Sequence, residues 1–112
     1  MGGFMYEWLL LGLEAMNLYI NKEVIQFLDR SGKYNLDKTD INLIMQYNNY
    51  IFTTAPIDGI SYFEEPFQNT DQIPAIVLDH NNNVIVGNEY FNIALYNNLK
   101  SLKVFSPDIY LN

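Results

Sequence analysis

The sequence predicts an α+β fold, with helices in the first half and a small sheet in the second, and three observations carry that reading. Apolar residues recur at helical spacing over roughly the first fifty positions. A cluster of Pro, Gly, Asp and Asn then breaks the pattern, and the remaining residues alternate short β-branched runs with one amphipathic segment. At 112 residues and 49% hydrophobic, with nine Tyr and seven Phe, the chain has apolar surface for one core and is read as one domain over residues 1–112.

A first helix is expected over about residues 4–20, where Glu7, Glu14 and Asn17 fall to one side of an otherwise apolar run. Asn21 can cap a second over about 22–30, which carries Val24, Ile25, Phe27 and Leu28 and stops at Gly32. Asp37 or Thr39 can cap a third over about 38–50, with Ile41, Ile44 and Met45 on one face and an end at Thr53-Thr54-Ala55-Pro56. Residues 56–72 hold Pro56, Asp58-Gly59, Pro66 and Asn69 and read as a connecting loop, with Ile60 to Phe63 as one short strand candidate.

The last third reads as a strand-turn-strand-helix-strand unit over 73–105. Ile73 to Asp79 and Val84 to Val86 form a hairpin about His80-Asn81-Asn82-Asn83. Gly87 permits a sharp change of direction, and Asn88 can cap a helix with Phe91, Leu95 and Leu99 on one face. Leu102 to Phe105 returns as a strand before Pro107.

The net charge of −7 is unevenly placed. Between Lys38 and Lys100 there is no basic residue, and Asp40, Asp58, Glu64, Glu65, Asp71, Asp79 and Glu89 lie there, which leaves six acids against six bases in the rest of the chain. A single-sign stretch of this kind repels nucleic acid directly and attracts basic partners. The absence of Cys removes disulfides, thiolate metal ligands and thiol nucleophiles, and it fits a reducing, cytoplasmic setting. The apolar run ending at Ile20 is interrupted by Glu14 and Asn17 and is too short to span a bilayer, so no membrane association is expected. No Lys or Arg precedes Lys22, which argues against a secretory signal, and Met1-Gly2-Gly3 lacks the Ser or Thr of a myristoylation start.

The stretch from Ile73 through Asp79, the Asn-rich turn, Val84-Ile85-Val86-Gly87-Asn88-Glu89-Tyr90 and on to Val104 resembles the core of ParB/sulfiredoxin-like domains. The resemblance covers residues 73–104. It implies the same order of strand, turn, strand, helix and strand, with the family's signature glycine at Gly87. It further implies a nucleotide or nucleic-acid-binding domain whose phosphate is held just after that glycine. The family's histidine and arginine are Asn88 and Tyr90 here, and exchanging Arg for Tyr removes a permanently charged bidentate phosphate ligand.

Other chemistries find incomplete sets of residues. Asp79, Asn81 and Asn83 have the spacing of the first ligands of an EF-hand loop, but Val84 and Tyr90 occupy its glycine and glutamate positions, so no metal site is expected. His80 beside Asp79 has no serine in a nucleophile-elbow context to act on. No phosphate loop is present, and no cofactor and no catalytic residue are assigned.

The expectation that follows is a non-catalytic acidic protein-binding module. Its partner would be a larger protein with a basic, nucleic-acid-binding surface, which it would inhibit in the manner of phage or mobile-element counter-defence proteins, anti-CRISPR and anti-restriction proteins among them. Its surface is placed on Asp58, Tyr62, Phe63, Glu64, Glu65, Phe67 and Asp71, where aromatic anchors alternate with acids. The alternatives are the ParB-like nucleotide or nucleic-acid binder, resting on Gly87, Asn88 and Tyr90, and a toxin-immunity protein. A homodimer through the apolar first helix also enters as an expectation.

Overall fold

The computed structural model describes residues 19–47 and 49–108, and the expected helix over 4–20 lies outside them but for its last two positions. Three helices and four strands follow in the order α1 (Tyr19–Ser31), α2 (Lys38–Ile44), β1 (Tyr50–Pro56), β2 (Ile76–Leu78), β3 (Val84–Val86), α3 (Asn88–Tyr96) and β4 (Ser101–Pro107).

Helix α1 buries Val24, Ile25 and Leu28. It ends at Gly32, which takes φ +69 as its amide donates to the Asp29 carbonyl. Asn21 lies inside α1, so it does not cap a separate helix. Asp37 does cap α2: its carboxylate accepts the Asp40 amide at 2.8 Å, and the Asp40 carboxylate accepts the Asp37 amide at 3.1 Å.

Helix α2 stops at Ile44 rather than near residue 50, and Tyr50 opens a seven-residue strand. The run from Tyr50 to Thr54 is aromatic and β-branched, which favours a pleated ribbon over a helix. The Tyr50 hydroxyl turns back to donate to the Ile44 carbonyl at 2.8 Å and satisfies one of the orphan acceptors of the α2 terminus.

The four strands form one sheet in the order β1-β4-β2-β3. β1 pairs antiparallel with β4, β4 parallel with β2, and β2 antiparallel with β3. The parallel step arises because α3 carries the chain across one face of the sheet before β4. β3 is bulged: Val77 faces Val86 while Leu78 faces Val84, so Ile85 has no residue opposite it. That extra residue turns both Ile85 and Val86 toward one face and Val84 toward the other.

Two apolar clusters result, one on each face. Val77 and Val86 pack with Val24, Ile25 and Leu28 of α1 and with Ile41 and Ile44 of α2. Ile76, Leu78, Leu102 and Val104 pack with Phe91 and Ala94 of α3. Strand β2 is buried on both faces, as a central strand covered by helices on either side requires.

Helix α3 starts at Gly87, whose φ is +90, and Asn88 is its first residue rather than its cap. Its far end closes with Asn98 at φ +58, the Asn98 amide on the Leu95 carbonyl and the Leu99 amide on the Ala94 carbonyl. Leu99 thus falls beyond the helix and is exposed, whereas Phe91 is buried and Leu95 packs at the margin of the same cluster.

Candidate functional site

The connection between β1 and β2, residues 57–75, carries the acids and aromatics that sequence reasoning placed at a binding surface. It is a long loop without regular structure beyond one bridge. Ser61 donates its amide to the Asn82 carbonyl at 2.8 Å and accepts the Val84 amide at 3.0 Å, so it pairs with Asn83 beside β3. The short strand considered for 60–63 is reduced to this single residue.

From Ser61 onward the loop is fastened to α3 by two asparagines. Asn88 accepts the Phe63 amide at 3.2 Å, donates to the Phe63 carbonyl at 2.8 Å and donates to Glu65 Oε2 at 2.6 Å. Asn92, the buried polar residue of the described core, donates to the Phe63 carbonyl at 3.0 Å and to the Asn88 carbonyl at 2.9 Å. Asn88 therefore reads the loop backbone, a role that its position after the glycine did not suggest. Asn92 gave no signal in sequence beyond a polar residue on an apolar helix face.

The rings divide between anchoring and display. Tyr62 stacks on buried Phe91 with centroids 4.7 Å apart, and Phe67 meets Tyr96 edge-on at 5.5 Å. Phe63, held at both backbone polar atoms by Asn88, is nonetheless 63% exposed, with Glu64 exposed next to it. Asp58 and Asp71 are exposed near the two ends of the loop, outside the pinned residues 61–67 in sequence.

Beside the loop, a cleft of about 320 Å³ opens at the start of α3, lined among others by Lys33, Asp40, Glu65, Gly87, Glu89 and Tyr90. The turn that the ParB-like resemblance marks is thus at a cleft, but three carboxylates face one ammonium there. Anionic phosphate meets an unfavourable field in such a lining. Tyr90 stands where that family's arginine would be, and its hydroxyl is committed to the Lys33 carbonyl at 2.7 Å while its ring packs edge-on against Tyr34. Burial, with the adjacent Glu89 charge, raises the Tyr90 phenol above its ordinary value. Burial likewise raises the Asp40 carboxyl; the bond from the Asp37 backbone amide lowers it, and the charge and side-chain hydrogen bonding of Asp37 raise it.

Gly87 has a packing reason independent of any ligand. A Cβ built on it would lie 2.9 Å from Ile76 Cγ2, inside van der Waals contact with the buried central strand.

The Asn-rich turn is equally self-contained. The Asp79 carboxylate accepts the amides of Asn81 and Asn83, both at 2.8 Å, and the Asn83 side-chain amide at 2.9 Å. Burial pushes the Asp79 carboxyl upward, but these bonds outweigh it and hold the group below the usual carboxylate range. The residues with partial EF-hand spacing are therefore engaged with one another as a turn. His80 Nδ1 is hydrogen bonded with the Tyr47 hydroxyl at 2.8 Å. Among the described residues no group of three His, Asp or Glu side chains gathers where it could hold a metal ion, and no helix is long and apolar enough to cross a membrane.

No protein-family model matches the chain, and neither a curated protein nor a solved structure matches it.

Proposed function

We propose that this chain is a non-catalytic binding module that docks residues 61–67 onto the basic surface of a larger protein, of the kind that nucleic-acid-binding enzymes carry, and inhibits that protein as counter-defence and immunity proteins do. The observation that carries the reading is Phe63. It is an aromatic residue 63% exposed, beside exposed Glu64, on a backbone held at both polar atoms by Asn88. A ring presented in this way has already lost the loop entropy that docking would otherwise remove, so its burial contributes more fully to affinity. The surrounding acids supply attraction and orientation toward a basic partner.

The test is affinity capture from cells with wild-type and Phe63→Ala bait, each washed at low and at high salt, alongside Glu64→Lys. Glu64 is the informative charge, because Glu65 is also engaged with Asn88 and its reversal would disturb the loop itself. Loss of the captured protein by Phe63→Ala and a weaker, less salt-sensitive capture by Glu64→Lys are expected. Equal capture by all three baits refutes the assignment to this loop. Calorimetry with nucleotides addresses the alternative drawn from the ParB-like resemblance, and saturable heat abolished by Lys33→Ala would favour it over protein docking.

A further inference from the structure

The sheet has two edges, and the chain treats them differently. At β3 the edge is occupied by Ser61, which takes up the Asn82 carbonyl and the Val84 amide. At β1, in the order β1-β4-β2-β3, no strand of the described residues pairs on the outer side. The direction of its free groups follows from the ladder. The bonds flanking β1 run from the Asp108 amide to the Asn49 carbonyl and from the Ile57 amide to the Lys100 carbonyl, in the same register as the strand pairing itself. Hydrogen-bonded pairs alternate in an antiparallel ladder, so Ile51, Thr53 and Ala55 bond inward to β4. The amides of Tyr50, Phe52 and Thr54 and the carbonyls of Tyr50, Phe52, Thr54 and Pro56 therefore point outward. Pro56, which has no N–H, sits with its nitrogen on that outer side, where no ladder bond is lost.

Exposed edges are commonly blunted by charge, by proline, by bulges or by cover. β1 has only the proline, at its last position: its seven residues carry no charge, its register with β4 runs without a shift, and no strand of the described residues covers its outer side. Apolar side chains flank the edge on both faces. Phe52 (56% exposed) and Phe27 (48%) stand with Phe105 on the α1 face, and Ile51 (45%) is on the other.

We infer that β1 is the edge through which two copies of this chain pair antiparallel about a two-fold axis at Thr53, joining their sheets into one of eight strands. The strand is complementary to itself in that register. Phe52 falls opposite Thr54, Ile51 opposite Ala55 and Tyr50 opposite Pro56, so each outward amide of one copy meets an outward carbonyl of the other. The two Phe52 rings come to diagonal positions on one face, about 7–8 Å apart and within reach of each other. The seven residues of β1 carry no charge, and Glu65, Asp79 and Glu89 lie on the β3 side of the sheet, while Asp58, two residues after Pro56, puts like charge at the rim of the contact rather than within it. Phe27, Ile51 and Phe52 expose on the order of 300 Å² per copy, which places the contact in the small class of weak, reversible interfaces.

The test uses the full 112-residue chain. Sedimentation over increasing concentration is expected to show a reversible monomer–dimer equilibrium. Thr54→Pro removes an outward donor without touching the β1/β4 bonds, and Phe52→Lys places a charge on the edge; both are expected to be monomeric with unchanged circular dichroism. Hydrogen exchange supplies a readout that needs no variant. The amides of Ile51, Thr53 and Ala55 should be protected at every concentration, and those of Phe52 and Thr54 should slow by about tenfold as the dimer fills. Three results overturn the inference: a wild-type chain that stays monomeric, association that survives Thr54→Pro, or protection of the Phe52 and Thr54 amides that does not vary with concentration. The last is the mark of an edge covered by the chain's own residues.

Discussion

Replacing Gly87 with alanine tests whether this glycine serves the fold or a ligand. Its φ of +90 is disfavoured for a residue with a Cβ, and holding alanine in the left-handed region costs about 1–2 kcal/mol. The new methyl would stand 2.9 Å from Ile76 Cγ2 and 3.3 Å from Ile76 Cβ, on a strand residue that is 0% exposed and cannot retreat into solvent. Overpacking of that kind adds about 1–3 kcal/mol. The stiffer unfolded chain offsets about 0.4–1 kcal/mol. Gly87→Ala should therefore destabilise by about 1–5 kcal/mol, with about 3 as the central value, a large share of the stability of a protein this size. Gly32 is the control within the same molecule: its φ is +69, but nothing lies within 4 Å of its added Cβ. Gly32→Ala should lose about 1 kcal/mol or less, the backbone strain alone. Urea denaturation of both variants measures the difference, with the slope monitored to exclude changes in the unfolded state. Agreement of the two losses within about 0.5 kcal/mol would refute the packing argument and return Gly87 to a purely conformational role.

Two further perturbations address the loop and the core. Asn88→Ala should reduce global stability by only about 1 kcal/mol, since its bonds lie near the surface, yet raise amide exchange at Phe63 and across residues 61–67; unchanged exchange there would show that Asn88 does not hold the loop. Burial raises the Tyr34 phenol, with the Tyr90 charge adding to it, and raises that of Tyr50, with Tyr47 and Asp79 adding. A phenol whose value is raised on folding contributes stability that is complete below the ordinary phenol value of about 10 and is lost as the pH climbs above it. Phenolate absorbance should therefore show these tyrosines ionising together with the loss of circular dichroism at alkaline pH, and their ionisation in the intact fold would contradict the burial described.

The parts of the fold set by local chemistry were legible. A cap at Asp37 or Thr39, the left-handed stop at Gly32 and the hairpin-helix-strand unit each announce themselves within a few residues; Asp37 proves to be the cap, and the other two are found. β1 was not legible. Its aromatic and β-branched run stands after a helical pattern and before Pro56, so in sequence a proline that sits harmlessly on an outer edge reads as the end of a helix. What separates the two readings is the pairing with β4, fifty residues away in sequence, which no local pattern contains. The same distance hid the site. That residues 58–71 are acidic and aromatic could be read directly, but that Asn88 and Asn92 fix Phe63 depends on α3 meeting the loop in space.

That attachment separates upkeep from display. The loop is secured through backbone atoms of Phe63 and the bridge at Ser61, so those fastenings do not depend on which side chains Phe63, Glu64 and their neighbours carry. Substitutions at Phe63, Glu64 and Gln68 are free to change without redesign of the scaffold, whereas Asn88, Asn92 and Phe91 are not. A chain built in this way can follow an altered target by single exchanges in a short stretch, and the same stretch is where foreign recognition sequences could be grafted.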